Sequence, residues 1–449
     1  MRFTAAAVGG AVLLVTTGAA ANGRYPASSA ILLSPTDPDL VVGRATFGTL
    51  VSHDHGKTFD FLCDDAIGLS PQSTQDPVLG LTAAGALVAG FDAPAVGLDV
   101  SSDTGCNWTC VGGPLAGQAV VDLAVRPDAP HDVVLLTGSG ADAGAALSQV
   151  YESADDGAHW TALGTPIDPT ATPTTLDVAP GDARRLYVSA TRGFGSARSA
   201  SLFVSTDDAM TWTERPTPFD PNADDAIYIG AVDPTDPMRV YLRTSGSPSR
   251  LFVTTDGGQS FQVASIALTG TMQGFALSPD GATIYAGGPA DGLFAAARAD
   301  LTFHKMAALH VQCLAARASE VWACSDEPSG FIVGVSTDQG ATFAAALHLN
   351  GIAGALACAA RAGGVACGAD ANASQCGGDS FVQFCQDLGG CAPGALATPS
   401  ARSSRGCSLG RGAGVAAGVG AGAVALVVVI RRRRGDFRGR RRARRPLAS

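Results

Sequence analysis

Residues 52–59 read Ser52-His53-Asp54-His55-Gly56-Lys57-Thr58-Phe59. Reduced to Ser/Thr-x-Asp-x-Gly-x-x-aromatic, the pattern recurs along the chain. Ser101, Asp103, Gly105 and Trp108 form a second copy, and Ser153, Asp155, Gly157 and Trp160 a third. The fourth has Ser205, Asp207 and Trp212, with Ala209 in the glycine place. Thr254, Asp256, Gly258 and Phe261 make the fifth, and Ser336, Asp338, Gly340 and Phe343 another clear copy. A weakened copy, Ala296, Arg298, Asp300 and Phe303, fills the gap between these two, and Leu293-Phe294 before it matches Leu251-Phe252. The starts then lie 49, 52, 52, 49, 42 and 40 residues apart. Three of the four tryptophans fall on the last position, which therefore demands a large flat apolar group.

The residue types suit a hairpin. A carboxylate two residues past a Ser can accept N–H bonds of its own turn. Glycine supplies the positive φ of the reversal, and the aromatic can return into the sheet packing. Ala209 in place of Gly implies a strained or differently shaped fourth turn. Ahead of each motif, apolar runs flank Pro/Asp turns, as in Ala30-Ile31-Leu32-Leu33, Pro35-Thr36-Asp37-Pro38 and Leu40-Val41-Val42. Similar turns stand at Pro127-Asp128, Pro180-Gly181-Asp182, Asp233-Pro234-Thr235-Asp236-Pro237 and Pro279-Asp280-Gly281. Each unit reads strand, turn, strand, loop, strand, motif hairpin, strand. Four strands in ~40–50 residues make a propeller blade. The expected fold is all-β: one β-propeller of four-stranded blades over residues 22–349, with seven blades if the weakened copy counts. Six or eight stay open, because residues 358–367, Cys358 to Cys367, echo the start of the preceding unit, Cys313 to Cys324. Residues 350–391 read as a Cys-rich partial repeat that caps or closes the ring.

The motif resembles the Asp-box, or BNR repeat, of β-propeller proteins, over about residues 25–349. The resemblance implies a structural role for these residues at hairpin tips on the outer rim, so none is assigned to catalysis. Sialidases of this type pair a Tyr nucleophile with a Glu and carry an Arg-Ile-Pro signature, which is absent here. Glu152 neighbours Tyr151, and adjacent strand residues point to opposite faces. Glu214, Glu320 and Glu327 have no local Tyr. Asp-box xyloglucanases use two propellers, and this chain is long enough for one. Related propellers include photosystem II assembly factors and sortilin-type receptor domains, which bind proteins. The implied role is non-catalytic binding of an extracellular protein or glycan, with a glycan-active hydrolase as the rival.

Composition agrees with turn-rich β structure. Among 449 residues are 56 Gly and 25 Pro, and Asp makes up 36 of the 40 acidic residues. With only four Glu and two Lys, long helices are disfavoured. A 46% apolar fraction excludes disorder for the bulk. The net charge of −10 conceals a sharper balance: between Asn22 and Gly406 stand 18 basic against 39 acidic residues, net −21. Nucleic acid is therefore not an expected partner.

Both ends read as addresses. Residues 1–21 carry Arg2, a short apolar run and Ala19-Ala20-Ala21, the parts of a secretory signal. A linker, 392–406, leads to Gly406-Cys407-Ser408. Residues 412–430 then hold no charge, long enough at ~1.5 Å per residue to span a bilayer core. Ten arginines follow, which places that side in the cytoplasm. This order of parts in 407–449 resembles the MYXO-CTERM sorting tail of myxobacterial exported proteins. It implies a sorting protease acting near Cys407, a first anchorage in the inner membrane, and delivery to the cell surface, the outer membrane or the medium.

Setting Cys407 aside leaves ten cysteines, an even number that suggests disulfides in an exported chain. Cys313/Cys324 and Cys358/Cys367 each bracket a hairpin and are expected to pair. Cys63, Cys106 and Cys110 form one remaining group and Cys376, Cys385 and Cys391 another, and a bridge between the groups would help close the ring. No metal or cofactor motif is present. His53 and His55 read as surface histidines rather than ligands, Asp220 to Asp225 as a solvated acidic loop rather than a calcium site, and Asn107-Trp108-Thr109 as a sequon inside a turn.

Overall fold

A computed structural model describes residues 27–69, 75–93, 96–138 and 147–358. They belong to a compact unit spanning residues 1–398, and a second unit, 399–449, lies outside the described residues. The expected signal segment, linker, sorting tail and most of the Cys-rich segment fall outside them as well. No helix among the described residues is long and apolar enough to cross a membrane.

Seven antiparallel sheets follow one another in chain order, giving a seven-bladed β-propeller. Blades 1 to 7 occupy residues 28–62, 78–110, 119–163, 172–216, 227–264, 274–307 and 313–347. Each blade is four consecutive strands. In blade 4 these are Thr172–Val178, Leu186–Arg192, Ser199–Ser205 and Thr213–Pro216. The first strands pack against one another around the ring, including that of blade 7 against that of blade 1. The ring is thus complete at seven, and no eighth sheet is needed to close it.

The position 1 hydroxyl residue of every clear motif is the last residue of its blade's third strand. The reversal that follows sends the aromatic at position 8 backwards. Trp108 of blade 2 packs with Leu62 and Ile67 beside blade 1, and Trp160 of blade 3 packs with Val88 and Leu98 of blade 2. Trp212, Phe261 and Phe343 do the same at the next seams. Phe303 keeps this place in blade 6 although the rest of its motif has decayed. Phe59 of blade 1 meets Trp322, Ile332 and Val333 of blade 7, with no exposed surface, and so closes the circle. Fully burying an aromatic of this size is worth about 1.5–3 kcal/mol, which applies at the seams of Phe59, Trp108 and Trp160; the half-buried Trp212, Phe261, Phe303 and Phe343 contribute less.

Among the described residues each blade's four strands come from one stretch of chain. The segment after blade 7 lies along the outside of blade 1, where Gly354–Ala355 pairs in parallel with Asp60 and Phe61. This path carries Cys358 to the motif turn of blade 2, where it bonds Cys106 with a Cα–Cα separation of 5.4 Å. The expected Cys358–Cys367 hairpin bridge is therefore corrected: Cys358 ties the end of the ring to its second blade. Cys63 and Cys110 are also disulfide-bonded. Cys313 and Cys324 stand opposite each other on neighbouring strands of blade 7 and are joined.

Candidate functional site

The motif carboxylates are spent within their own turns. The position 1 hydroxyl donates to Asp Oδ1 at 2.7–2.9 Å in all six clear copies. The N–H of position 5 donates back to that hydroxyl at 2.8–2.9 Å. Position 7, unremarked in the sequence pattern, is always a side-chain donor: Thr58, Asn107, His159, Thr211, Ser260 and Thr342 each reach Asp Oδ2 at 2.5–2.7 Å. The Ser260 and Thr342 hydroxyls hold Asp256 and Asp338 at about 2. Asp54, Asp103 and Asp155 stay low too, the turn hydrogen bonds outweighing the opposing effect of burial.

Two successive residues of each turn take positive φ, as the central pair of a type I′ turn does. They are His55/Gly56, Thr104/Gly105, Asp156/Gly157, Asp208/Ala209, Gly257/Gly258 and Gln339/Gly340. Ala209 is held at φ 59° with its methyl buried, and its N–H still reaches Ser205 Oγ at 2.9 Å. The fourth turn is strained and has the shape of the others. In blade 6, Arg298 replaces the motif Asp and reaches the buried Asp233 of blade 5 at 3.1 Å.

The remaining charges are largely paired. All four glutamates are engaged: Glu152 by Arg126 at 2.7 Å, Glu214 by Arg192 at 2.9 Å, Glu320 by His55 at 2.7 Å and Glu327 by His348 at 3.1 Å. His55, expected as a bland surface residue, is half-buried at the closing seam, and its contact with Glu320 raises its pKa. Asp224, expected in a solvated loop, is fully buried and bonded by Arg250 Nε at 3.1 Å. Withdrawn from solvent, the carboxylate is compensated by that guanidinium and by the Asp220 N–H at 2.8 Å. Among the described residues no group of three or more His, Cys, Asp or Glu could hold a metal ion.

Two carboxylates stand on first strands, Asp122 in blade 3 and Asp177 in blade 4. Burial pushes Asp122 up to about 7 and Asp177 up to about 6. Asp122 accepts the N–H of Leu176 in blade 4 at 2.9 Å, and Asp177 accepts that of Val232 in blade 5 at 3.2 Å. Each thereby staples its first strand to the next blade.

A cleft of about 400 Å³ lies on the motif side of the ring between blades 6 and 7. Tyr285 and Val321, both buried, form its floor. Ser278, Asp280 and Thr283 of blade 6 line one wall, and Ser319, Glu320, Thr337 and Gln339 of blade 7 the other. None of its residues was singled out in the sequence as a ligand-binding group.

No family model matches the chain, and no curated protein matches it. Among solved structures, an ancestral GH74 enzyme superposes with a TM-score of 0.53 at 12% identity, over 72% of this chain and 46% of that one. This chain thus spans just under half the length of that enzyme. YCF48 from Cyanidioschyzon merolae gives a TM-score of 0.47 at 14% identity, over 67% of this chain and 93% of that one. The GH74 xyloglucanase from Xanthomonas campestris gives 0.26 at 14% identity, over 71% and 69%. The first supports the propeller fold and nothing further.

Proposed function

We propose that the chain is an exported propeller, displayed at the cell surface through a MYXO-CTERM-like tail, that binds an extracellular protein or glycan without transforming it. One observation carries the binding reading. The motif carboxylates and the four glutamates are engaged by partners within the fold, while Ser319, Thr337 and Gln339 in the cleft between blades 6 and 7 have no internal side-chain partner. Saturated groups build a rigid scaffold, and unsaturated ones at a concave site are free to meet a ligand. The Asp-box likeness and the two end segments support the surface address. A glycan array and a glycosidase substrate panel on the purified protein test the role: retention without turnover is expected, and hydrolysis of a sialoside or β-glucan rejects it. Intact mass of the mature chain tests the address, since a chain still carrying the arginine tail contradicts processing near Cys407.

A second reading, a glycan hydrolase, draws on Asp122 and Asp177. Raised carboxyl pKa values are what a general acid requires. Their engagement with main-chain N–H groups of the next blade favours the structural role. If hydrolysis is found, Asp122→Asn abolishing it while the fold persists would establish the rival.

A further inference from the structure

The cleft exists because one turn is short. In blades 1, 3, 4 and 5 the N–H of motif position 4 donates to a carbonyl of the same blade's first turn. His55 reaches Asp39 at 2.9 Å, Asp156 reaches His131 at 3.0 Å, Asp208 reaches Arg184 at 3.0 Å and Gly257 reaches Met238 at 2.9 Å. In blade 2 the Thr104 hydroxyl does this for Gly85 at 3.1 Å. Blade 7 departs from the pattern. Ala316 pairs with Val321, so four residues make the tip where seven do in blades 1, 3, 4 and 5, and it stops short of the motif. Gln339 keeps the same backbone, φ 60°, but its N–H has no acceptor. The space that longer turns fill elsewhere is left open.

What remains around that space is a set of hydrogen-bonding groups with two carboxylates, Asp280 and Glu320, among them. Asp280 is held by Ser278 at 2.6 Å and by the Ala282 N–H at 3.0 Å. Glu320 is held by His55 and by Trp322 Nε1 at 3.0 Å. Glu320 is offset by His55, while Asp280 receives only neutral donors and keeps its negative charge at the cleft, which repels an anion. The hydroxyls of Ser319 and Thr337 and the carboxamide of Gln339 line the cleft without an internal partner. They offer donors and acceptors side by side over an apolar floor of Tyr285 and Val321. A volume of about 400 Å³ falls within the ~300–1,000 Å³ range of small-molecule sites.

We propose that this cleft binds a neutral sugar unit of a glycan, the hydroxyl-rich edge meeting Ser319, Thr337 and Gln339 and a C–H face lying on the floor. This rests on the binding reading above and assigns it a site and a ligand class. The test is calorimetric titration of the purified full chain with neutral cello-, xylo- and malto-oligosaccharides and with a sialylated trisaccharide. Saturable binding of a neutral sugar is expected, weakened about tenfold by Thr337→Val and by Ser319→Ala, each removing one exposed hydroxyl. Ser319→Trp, which fills the cleft, should abolish it. Neutral-sugar binding that all three variants leave intact overturns the site while the binding function survives. Preference for the sialylated sugar overturns the ligand class. Binding of no sugar overturns both assignments and leaves a protein partner as the remaining form of the function.

Discussion

Gly56 stands where the ring closes, and replacing it by alanine tests how the motif turns are seated. Its φ of 75° lies in the left-handed region, where a Cβ costs about 1–2 kcal/mol. A Cβ there would also lie 2.6 Å from Cη2 of Trp322, the largest fully buried side chain of the ring. Overpacking of this kind costs about 1–3 kcal/mol. Gly56→Ala should therefore lose about 2–5 kcal/mol of unfolding free energy. Gly258→Ala is the internal control. Its φ is 89°, and its new methyl would sit 3.2 Å from Cγ of Arg215 and 3.3 Å from Cδ2 of Leu202, neighbours that need give only a few tenths of an ångström, so the backbone cost of about 1–2 kcal/mol dominates. Urea denaturation followed by tryptophan fluorescence reads both variants. If the two lose equal stability within error, the seating of blade 1 on Trp322 is not what closes the ring.

Other outcomes follow from the same geometry. Ala209→Gly relieves about 1 kcal/mol of left-handed strain and loses a buried methyl worth about 0.8 kcal/mol, so it should be close to neutral in the same titration, unlike the reverse change elsewhere. Stability should pass through a maximum near pH 4–5 in denaturation midpoints measured across pH. Asp122 and Asp177 have raised pKa values, so their contribution is full below the unfolded value of 3.8 and is lost as pH rises through about 6–7. Asp256 and Asp338 have lowered values, so theirs is full above 3.8 and is lost as pH falls through about 2. Asp122→Asn with Asp177→Asn should flatten the limb above pH 5, and an unchanged limb contradicts the assignment. Arg250→Gln strands the buried Asp224 and should cost about 3 kcal/mol, part of which the added change Asp224→Asn recovers in a double-mutant cycle.

The ring was legible because its periodicity is carried by residues whose chemistry is local. Ser52, Asp54, Gly56 and Phe59 need only one another to make their turn, so the pattern repeats in plain sight. Position 7 was also legible in retrospect: Thr, Asn, His, Thr, Ser and Thr share a donor at one spacing, though not one residue type. Position 4 was hidden because His55, Thr104, Asp156, Asp208, Gly257 and Gln339 have only their backbone in common. Pairings between distant segments were out of reach. Cys358 meets Cys106 across 252 residues because a parallel strand guides it, and nothing near either cysteine announces that path. Asp224 looked solvated because its partner, Arg250, lies in the next loop. The cleft is the absence of turn residues that other blades have, a signal that emerges only when the blades are laid over one another.

Binding without turnover is the property that defines the proposed function. Proton NMR of a neutral oligosaccharide mixture, recorded with increasing amounts of the purified chain, reads both at once. Saturable broadening of one sugar's resonances with unchanged anomeric signals over days is the expected result. New reducing-end anomeric signals growing with time and protein would show hydrolysis and contradict it.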